Sequence, residues 1–469
     1  MNAQIKRANR SEPRMRVAII GGGPGGLMTA HLLEQQALSC CDITIFEADR
    51  RLGGKIVTRQ FDSAPALYEA GTAELYDYSR VGADPLRQLI AELGLSIRPL
   101  AGQTVVLNNR ILKNDADVRR ELGENTWKVL RQFHRDARST ISPRDYYESD
   151  WKEESNHPLS TESFRDFLLR VPDETARHYI EVMLHSDVAT EPEHTNAMYG
   201  LQNYLMNDPD YMRLYTIEGG IERLPKELAN RIKARILLHQ PVVRVERTPE
   251  DDYRIFSRCG DQVVCEDFDF LVVALPNNWT LGIEWGGNLA EVMRRHHAHY
   301  DNLAHYLRVS VLFKKPFWRE RIAESYFMLD AFGGCCVYDE SSRHNDNSHG
   351  VLGWLLAGEA GLTMSNLNDH ALIERVLHSL PPQLHYRREW FVEGRVHRWV
   401  GSVNGLPRGY PAREPDARHL PDPQENPWLF VVGDYLFDST LNGLLDSAEA
   451  VAEWISEEIA EDRLEKKAA

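Results

Sequence analysis

The stretch Arg16–Lys55 constrains the fold of this chain more than any other. An apolar run, Val17 to Ile20, enters Gly21-Gly22-Gly23-Pro24-Gly25-Gly26. A helical segment follows, and a second apolar strand, Ile43 to Phe46, ends on Glu47. This is a βαβ unit whose first turn reads G-x-G-x-x-G, with an acid about 20 residues further on. Gly21 permits the tight turn out of the strand, Gly23 lets backbone approach a pyrophosphate, and Gly26 lets helix and strand pack closely. The helix N-terminus offers free N–H groups and a positive dipole end to phosphate. Glu47 is placed to accept hydrogen bonds from a ribose. Strand, turn, helix, second strand and acid together supply the context that a glycine-rich surface loop lacks.

Bulk properties narrow the rest. A chain of 469 residues is long enough for two or three domains. With 54 basic and 70 acidic residues the net charge is −16, which argues against nucleic acid as a partner. The six cysteines show no C-x-x-C spacing, and a cytoplasmic location is expected. Residues 1–14 are polar and basic without an apolar core and read as a disordered leader. No apolar run is long enough to span a membrane. His296, His297, His299 and His305 lack acidic or thiol partners at ligand spacing, so no metal is expected and a solvated helix face is. The polar stretch 339–350 reads as a mobile loop.

Just past Glu47 comes Arg50-Arg51-Leu52-Gly53-Gly54-Lys55. The glycines suit a second close approach to a pyrophosphate, and Arg51 brings charge and a fork of donors. Glu47 followed by Arg51, Gly54 and Lys55 resembles the signature of the flavin-containing amine oxidase family, which includes monoamine, polyamine and L-amino-acid oxidases and, more remotely, protoporphyrinogen oxidases and carotenoid desaturases. The resemblance continues in Glu69-Ala70-Gly71, similar to the family's E-x-G strand, and in Gly219-Gly220 with the strand around Val243, whose backbone in the family reads adenine. It extends to Lys315-Pro316-Phe317-Trp318 and to Gly433-Asp434 before Asn442-Gly443.

The resemblance spans about 15–460 and implies an α/β architecture, α+β overall. A Rossmann-like FAD-binding domain would be assembled from 15–75, 215–280 and 420–460. A mixed, largely helical substrate domain with an antiparallel sheet would come from 76–214 and 281–419, and 461–469 would be a frayed tail. FAD would be bound by Gly21, Gly23, Gly26, Glu47, Arg51, Gly54, Lys55, Val243, Gly433, Asp434, Asn442 and Gly443. Asp434 would take the ribityl hydroxyls, and the helix N-terminus at Asn442-Gly443 would face flavin N1 and O2. No cysteine lies near that end, so the cofactor is expected to be non-covalent.

The resemblance implies an oxidoreductase in which an amine or amino acid loses hydride to flavin N5, with imine formation, O2 as acceptor and peroxide as product. Three residues are singled out for the chemistry. Counting back from Lys315-Pro316 places Arg308 where many members carry a lysine near N5, and arginine cannot act as a base. Trp399 is the candidate wall beside the flavin. Glu74 stands where L-amino-acid oxidases place a carboxylate-gripping arginine, so a cationic group could be held instead. The alternative is a flavin desaturase, dehydrogenase or isomerase acting on an apolar substrate. An aromatic hydroxylase and a flavin-bound protein without turnover are further readings. The substrate and the oligomeric state, a homodimer included, stay open.

Overall fold

The computed structural model describes residues 14–37, 41–80, 82–148, 157–343, 348–411, 413–437 and 439–468. Residues 1–13 of the expected leader lie outside them.

The apolar runs that open the chain form the middle of a five-stranded sheet. Its order is Arg235–Leu237, Cys41–Phe46, Met15–Ile20, Phe270–Val273, Leu429–Val431. All pairings are parallel, with Val17 opposite both Ile43 and Phe270, and Leu271 opposite Leu429. Val17, Ala18 and Ile19 are wholly buried, as expected for a parallel strand covered on both faces. One cover is the helix Pro24–Gln36 packed with the helix Leu441–Ala468, where Leu27, Met28, Ala30 and Leu33 share a core with Leu444, Ala448, Val451 and Ile455. Each leucine so buried contributes about 1.5–3 kcal/mol over exposure. The last helix runs through to Ala468. That helix takes in 461–468 of the tail expected to fray, where Glu, Leu, Lys and Ala are strong helix formers.

Parallel strands end on one edge, and that edge collects the glycine turn after Ile20, Glu47 after Phe46, Ala274 after Val273 and Gly433-Asp434 after Val431. Strand ends of this kind are where ligands bind in open α/β sheets.

A second, seven-stranded sheet has the order Phe391–Asn404, Leu303–Phe313, Gly350–Ala357, Cys335–Asp339, Tyr326–Leu329, Val105–Leu107, Arg110–Leu112. All its pairings are antiparallel except that of Tyr326–Leu329 with Val105–Leu107. Helices pack beside it, among them Glu124–Thr140 and Glu174–Val188. The helical run from Asp115 to Thr140 is split in two, Asp115–Leu122 and Glu124–Thr140. Gly123 breaks it at φ 95, a conformation glycine adopts freely.

Two expectations need correction. In the stretch read as a mobile loop, Asp339 ends a strand and Glu340–Arg343 form a 3-10 turn, with Asp339, Glu340 and Arg343 buried. Asp339 pairs with Arg319, Glu340 pairs with Arg308, and Arg343 donates to the Ala73 carbonyl, contacts invisible in a polar sequence. His296 does not face solvent: it is buried, and its Nε2 lies 3.1 Å from the Tyr435 hydroxyl.

Candidate active site

The glycine turn is built from mutually excluding backbones. A Cβ on Gly26 would overlap the Gly21 carbonyl oxygen, and one on Gly21, at φ 113, would overlap that of Ala274. A Cβ on Gly54 would lie 3.2 Å from the Gly23 Cα, so two glycine backbones face each other where side chains would intrude. Glu47 pins this turn: its Oε2 accepts from Gly22 N at 2.8 Å and its Oε1 from Asp49 N at 2.7 Å. Arg51 turns inward on its own loop, donating to the carbonyls of Leu52 at 3.1 Å, Ile56 at 3.3 Å and Gly54 at 2.5 Å. Val243 sits at a bulge, because the ladder passes from Val242↔Ser257 to Arg244↔Phe256. A bulge leaves the extra residue outside the regular pairing.

From this turn a cavity of about 530 Å³ runs toward the second sheet. Pro24, Lys55, Asp434, Asn442 and Gly443 line it, as do Glu74, Asp187, Tyr306, Arg308 and Trp399. Lys55 ties the halves together, pairing with the Asp434 carboxylate and donating to the Ser402 carbonyl at 2.8 Å. At the last helix, Thr440 Oγ1 accepts from Gly443 N at 3.1 Å and the Asn442 Nδ2 donates to Asp84 at 3.3 Å. The Asn442 Oδ1 is buried without a protein partner. Gly433 N donates to Ser447 Oγ at 3.1 Å.

Trp399 and Tyr306 are cross-strand partners and therefore share a sheet face. The Trp399 Nε1 donates to the Ala70 carbonyl at 2.6 Å, which seats the indole against the Glu69–Gly71 segment.

Arg308 is 1% exposed and donates from Nη2 to Glu340 Oε1 at 2.6 Å; Glu340 is wholly buried. The other Glu340 oxygen accepts from Glu69 N at 2.7 Å. Arg308 and Arg343 both lie over the Tyr338 ring, at 5.3 and 5.2 Å, and Arg343 also donates to the Ala73 carbonyl. The Tyr338 hydroxyl hydrogen-bonds Glu74. Arg308 Nε and Nη1 and Glu74 Oε2 are buried and have no protein partner. Buried polar atoms of this kind are costly unless something satisfies them. Burial raises Glu74 above its ordinary range, pushes Glu69 up to about 7 and pushes Asp187 up to about 8.

The structure therefore brings Glu74, Arg308, Trp399, Lys55, Asp434, Asn442 and Gly443 to the lining of one cavity. Gly21, Gly26, Glu47 and Arg51 support the turn. Sequence reasoning missed Asp187, Tyr306, Glu340 and Arg343. Asp187 sits near the end of an amphipathic helix and Glu340 in a polar run, and neither carries a motif. Only the buried position of Arg308 demands a carboxylate partner. Among the described residues, no three His, Cys, Asp or Glu side chains converge as a metal site needs, and no helix is long and apolar enough to cross a membrane.

The chain is 23% identical over 334 residues to an L-amino-acid oxidase of Mus musculus, covering 67% of this chain and 50% of that one. It is 21% identical over 338 residues to a flavin-containing amine oxidase of Oncorhynchus mykiss, covering 65% and 58%. The chain thus spans only about half the length of these curated relatives. Among solved structures, wild-type putrescine oxidase bound to putrescine superposes with a TM-score of 0.71 at 21% identity, over 94% of this chain and 99% of that one. Cyclohexylamine oxidase from Brevibacterium oxydans IH-35A gives 0.72 at 17%, over 96% and 100%. The family described as flavin containing amine oxidoreductase matches residues 24–456, and the chain belongs to that family.

Proposed function

We propose that this protein is an FAD-dependent oxidase of a small amine, with O2 as final acceptor, in which a Rossmann-like part carries the cofactor and the second sheet carries the substrate pocket. The observation that carries this is the single cavity joining the glycine turn to a wall of carboxylates and aromatic rings.

The residues present suit FAD. The facing backbones of Gly23 and Gly54 leave room for a pyrophosphate at the helix N-terminus beside Pro24. Lys55 and Asp434 would hold the middle of the cofactor, the Val243 bulge would offer backbone to the adenine, and Asn442-Gly443 would place a helix N-terminus near the flavin ring. When bound, FAD supplies the two-electron acceptor for oxidising the carbon next to the amine nitrogen.

The chain's own groups do the rest. Trp399 and Tyr306 form aromatic walls that orient the substrate and exclude water. Rings of this kind attract an ammonium group through their electron-rich faces. Glu74 favours a cation at the pocket. Arg308 has its charge met by Glu340, and its Nε and Nη1 remain as donors for an acceptor on a ligand. The acidic wall speaks against the apolar substrate of a desaturase. Anaerobic mixing of the FAD-loaded protein with a panel of amines and amino acids tests the reading. Bleaching of the flavin, followed by peroxide on readmitting air, is expected. Bleaching by NADPH alone, or by no amine, refutes it.

A further inference from the structure

We propose that His185 is a positioning residue: as a doubly protonated ring it clasps, between Glu191 and Gly334, the turn that walls the cavity at Asp187 and Ala189, and the wall loosens when that ring gives up a proton. The effect on substrate rests on the amine-oxidising reading; the clasp itself does not.

The partners of His185 fix its protonation. The residue lies near the end of the helix Glu174–Val188 and is 2% exposed. Its Nδ1 lies 3.0 Å from the Gly334 carbonyl oxygen, and its Nε2 lies 3.0 Å from each oxygen of Glu191. A carbonyl and an ionised carboxylate only accept, whereas a neutral imidazole has a single N–H. Both ring nitrogens therefore donate, and the ring is an imidazolium paired with Glu191. Glu359 N adds a third donor to that carboxylate, reaching Oε1 at 2.9 Å. Burial opposes both charges, but the pairing prevails: it raises His185 above its ordinary 6.5 and lowers Glu191 below its ordinary 4.5.

The pair straddles a strained turn. Ala189 sits at φ 60, in the left-handed region, and a residue other than glycine stays there only where its surroundings hold it. The Ala189 carbonyl accepts from Gly358 N at 3.2 Å and from His305 N at 3.3 Å, and the Tyr306 hydroxyl donates to the Ser186 carbonyl at 3.0 Å. Asp187, Ala189 and Tyr306 all line the cavity. Gly358 makes room for the clasp, since a Cβ there would lie 2.4 Å from Glu191 Oε1. When the ring loses a proton, one nitrogen turns a lone pair toward an oxygen in a site closed to water, and the turn loses a link. The folded ring holds its proton above the unfolded value, so the clasp is complete below pH 6.5 and is lost as pH rises through the raised value.

Other titratable groups surround the pair. Glu181 lies on the same helix, and His194 follows Glu191. On the strands behind, burial raises Cys335, Cys336, Tyr338, Tyr326 and Tyr306, which keeps them neutral. His305 accepts at Nδ1 from Gly401 N. Asp187, pushed up to about 8 by burial, titrates in the same range and is separated from His185 by mutation.

E191Q is the decisive variant, because a glutamine fits a neutral ring. Its oxygen still accepts from Glu359 N, its amide donates to His185 Nε2, and His185 Nδ1 still donates to Gly334. The clasp then survives without a titrating proton. The FAD-loaded full chain is compared with E191Q, H185Q and D187N from about pH 6 to about pH 10. At pH 7 the resonances of 15N-histidine-labelled wild type should include one ring with both nitrogens protonated, which becomes neutral in E191Q and is missing from H185Q. As pH rises, hydrogen exchange at the His305 and Gly358 amides should accelerate about 10- to 100-fold beyond E191Q at the same pH, the worth of one charged hydrogen bond. D187N should keep this transition, and H185Q should exchange fast at pH 7 already. Because E191Q loses no hydrogen bond, the test stands even where H185Q does not fold. A His185 ring that is neutral at pH 7 refutes the clasp, as does an alkaline rise in E191Q equal to that of wild type. Loss of the transition in D187N assigns it to Asp187 and refutes the clasp as well. With an amine that bleaches the flavin, apparent Kd should rise through the transition in D187N but not in D187N/E191Q; a Kd that does not move refutes the effect on the cavity. If no amine bleaches the flavin, the amine-oxidising reading falls, while exchange and the nitrogen resonances still decide the clasp.

Discussion

Replacing Glu340 with alanine should be among the most damaging single changes in the molecule. Glu340 is wholly buried and accepts two short hydrogen bonds, from Arg308 Nη2 at 2.6 Å and from Glu69 N at 2.7 Å. Its removal strands a guanidinium that is 1% exposed and whose Nε and Nη1 already lack partners. Breaking a buried pair in this way costs about 3–5 kcal/mol. Arg308→Met should cost less, about 1–3 kcal/mol, because it also removes those two unsatisfied donors and leaves Glu340 bonded to Glu69 N. The double variant R308M/E340L, apolar on both sides, should lie within about 2 kcal/mol of wild type. The assay is equilibrium unfolding of the FAD-loaded proteins in urea, followed by circular dichroism and flavin fluorescence, with slopes compared before free energies are. If E340A unfolds within about 1 kcal/mol of wild type, as an exposed ion pair would allow, the buried-pair account is wrong. It is equally wrong if the two single losses simply add in the double variant.

Other expectations follow from the same packing. Gly26→Ala places a Cβ on the Gly21 carbonyl, so it should lose about 1–3 kcal/mol of stability and weaken FAD, read by unfolding and by cofactor titration. Lys55→Ala removes the link from Asp434 to Ser402, and the Kd for FAD should rise by about 10-fold or more, measured by quenching of flavin fluorescence. Burial drives His296 down to about 3 from its ordinary 6.5, so between those values the unfolded chain binds a proton that the folded one refuses. Stability should therefore fall as pH drops from 6.5 toward 3, by up to about 1.4 kcal/mol per pH unit, and an unchanged acid limb in H296Q would contradict this. Acid precipitation should leave the flavin in the supernatant, since no cysteine follows Cys336 in the chain; flavin that stays with the pellet would show a covalent link.

The sequence made some parts of this molecule legible and hid others for physical reasons. Backbone demands show in sequence, because only glycine satisfies them: Gly21 and Gly26 announced the turn and its packing, and Val17–Ile20 announced a strand buried on both faces. Arg308 could be placed by its distance from Lys315-Pro316. Its partner could not, since Glu340 lies in a run whose polarity looks like a solvated loop until the ion pair is seen. His296 was misjudged for the same reason: helical spacing with its neighbours suggests a wet face, whereas Tyr435, brought in from the other end of the chain, covers it. Asp187 and Tyr306 meet only through tertiary packing, which periodicity does not report.

The parallel sheet also governs how the chain can be made. Its second and third positions, Cys41–Phe46 and Met15–Ile20, leave the ribosome early, but their neighbours Phe270–Val273 and Leu429–Val431 come far later. At about 5–20 residues per second, roughly 20–80 s separate synthesis of the first strand from that of the last. Through that interval the Met15–Ile20 edge waits with unpaired N–H and C=O groups, and the helix Pro24–Gln36 lacks the C-terminal helix that covers it. An unpaired apolar strand edge is a template for wrong partners. Biogenesis of this protein thus favours conditions in which chaperones shield the nascent N-terminal unit, and a chain halted before Leu429 leaves the sheet open on one side.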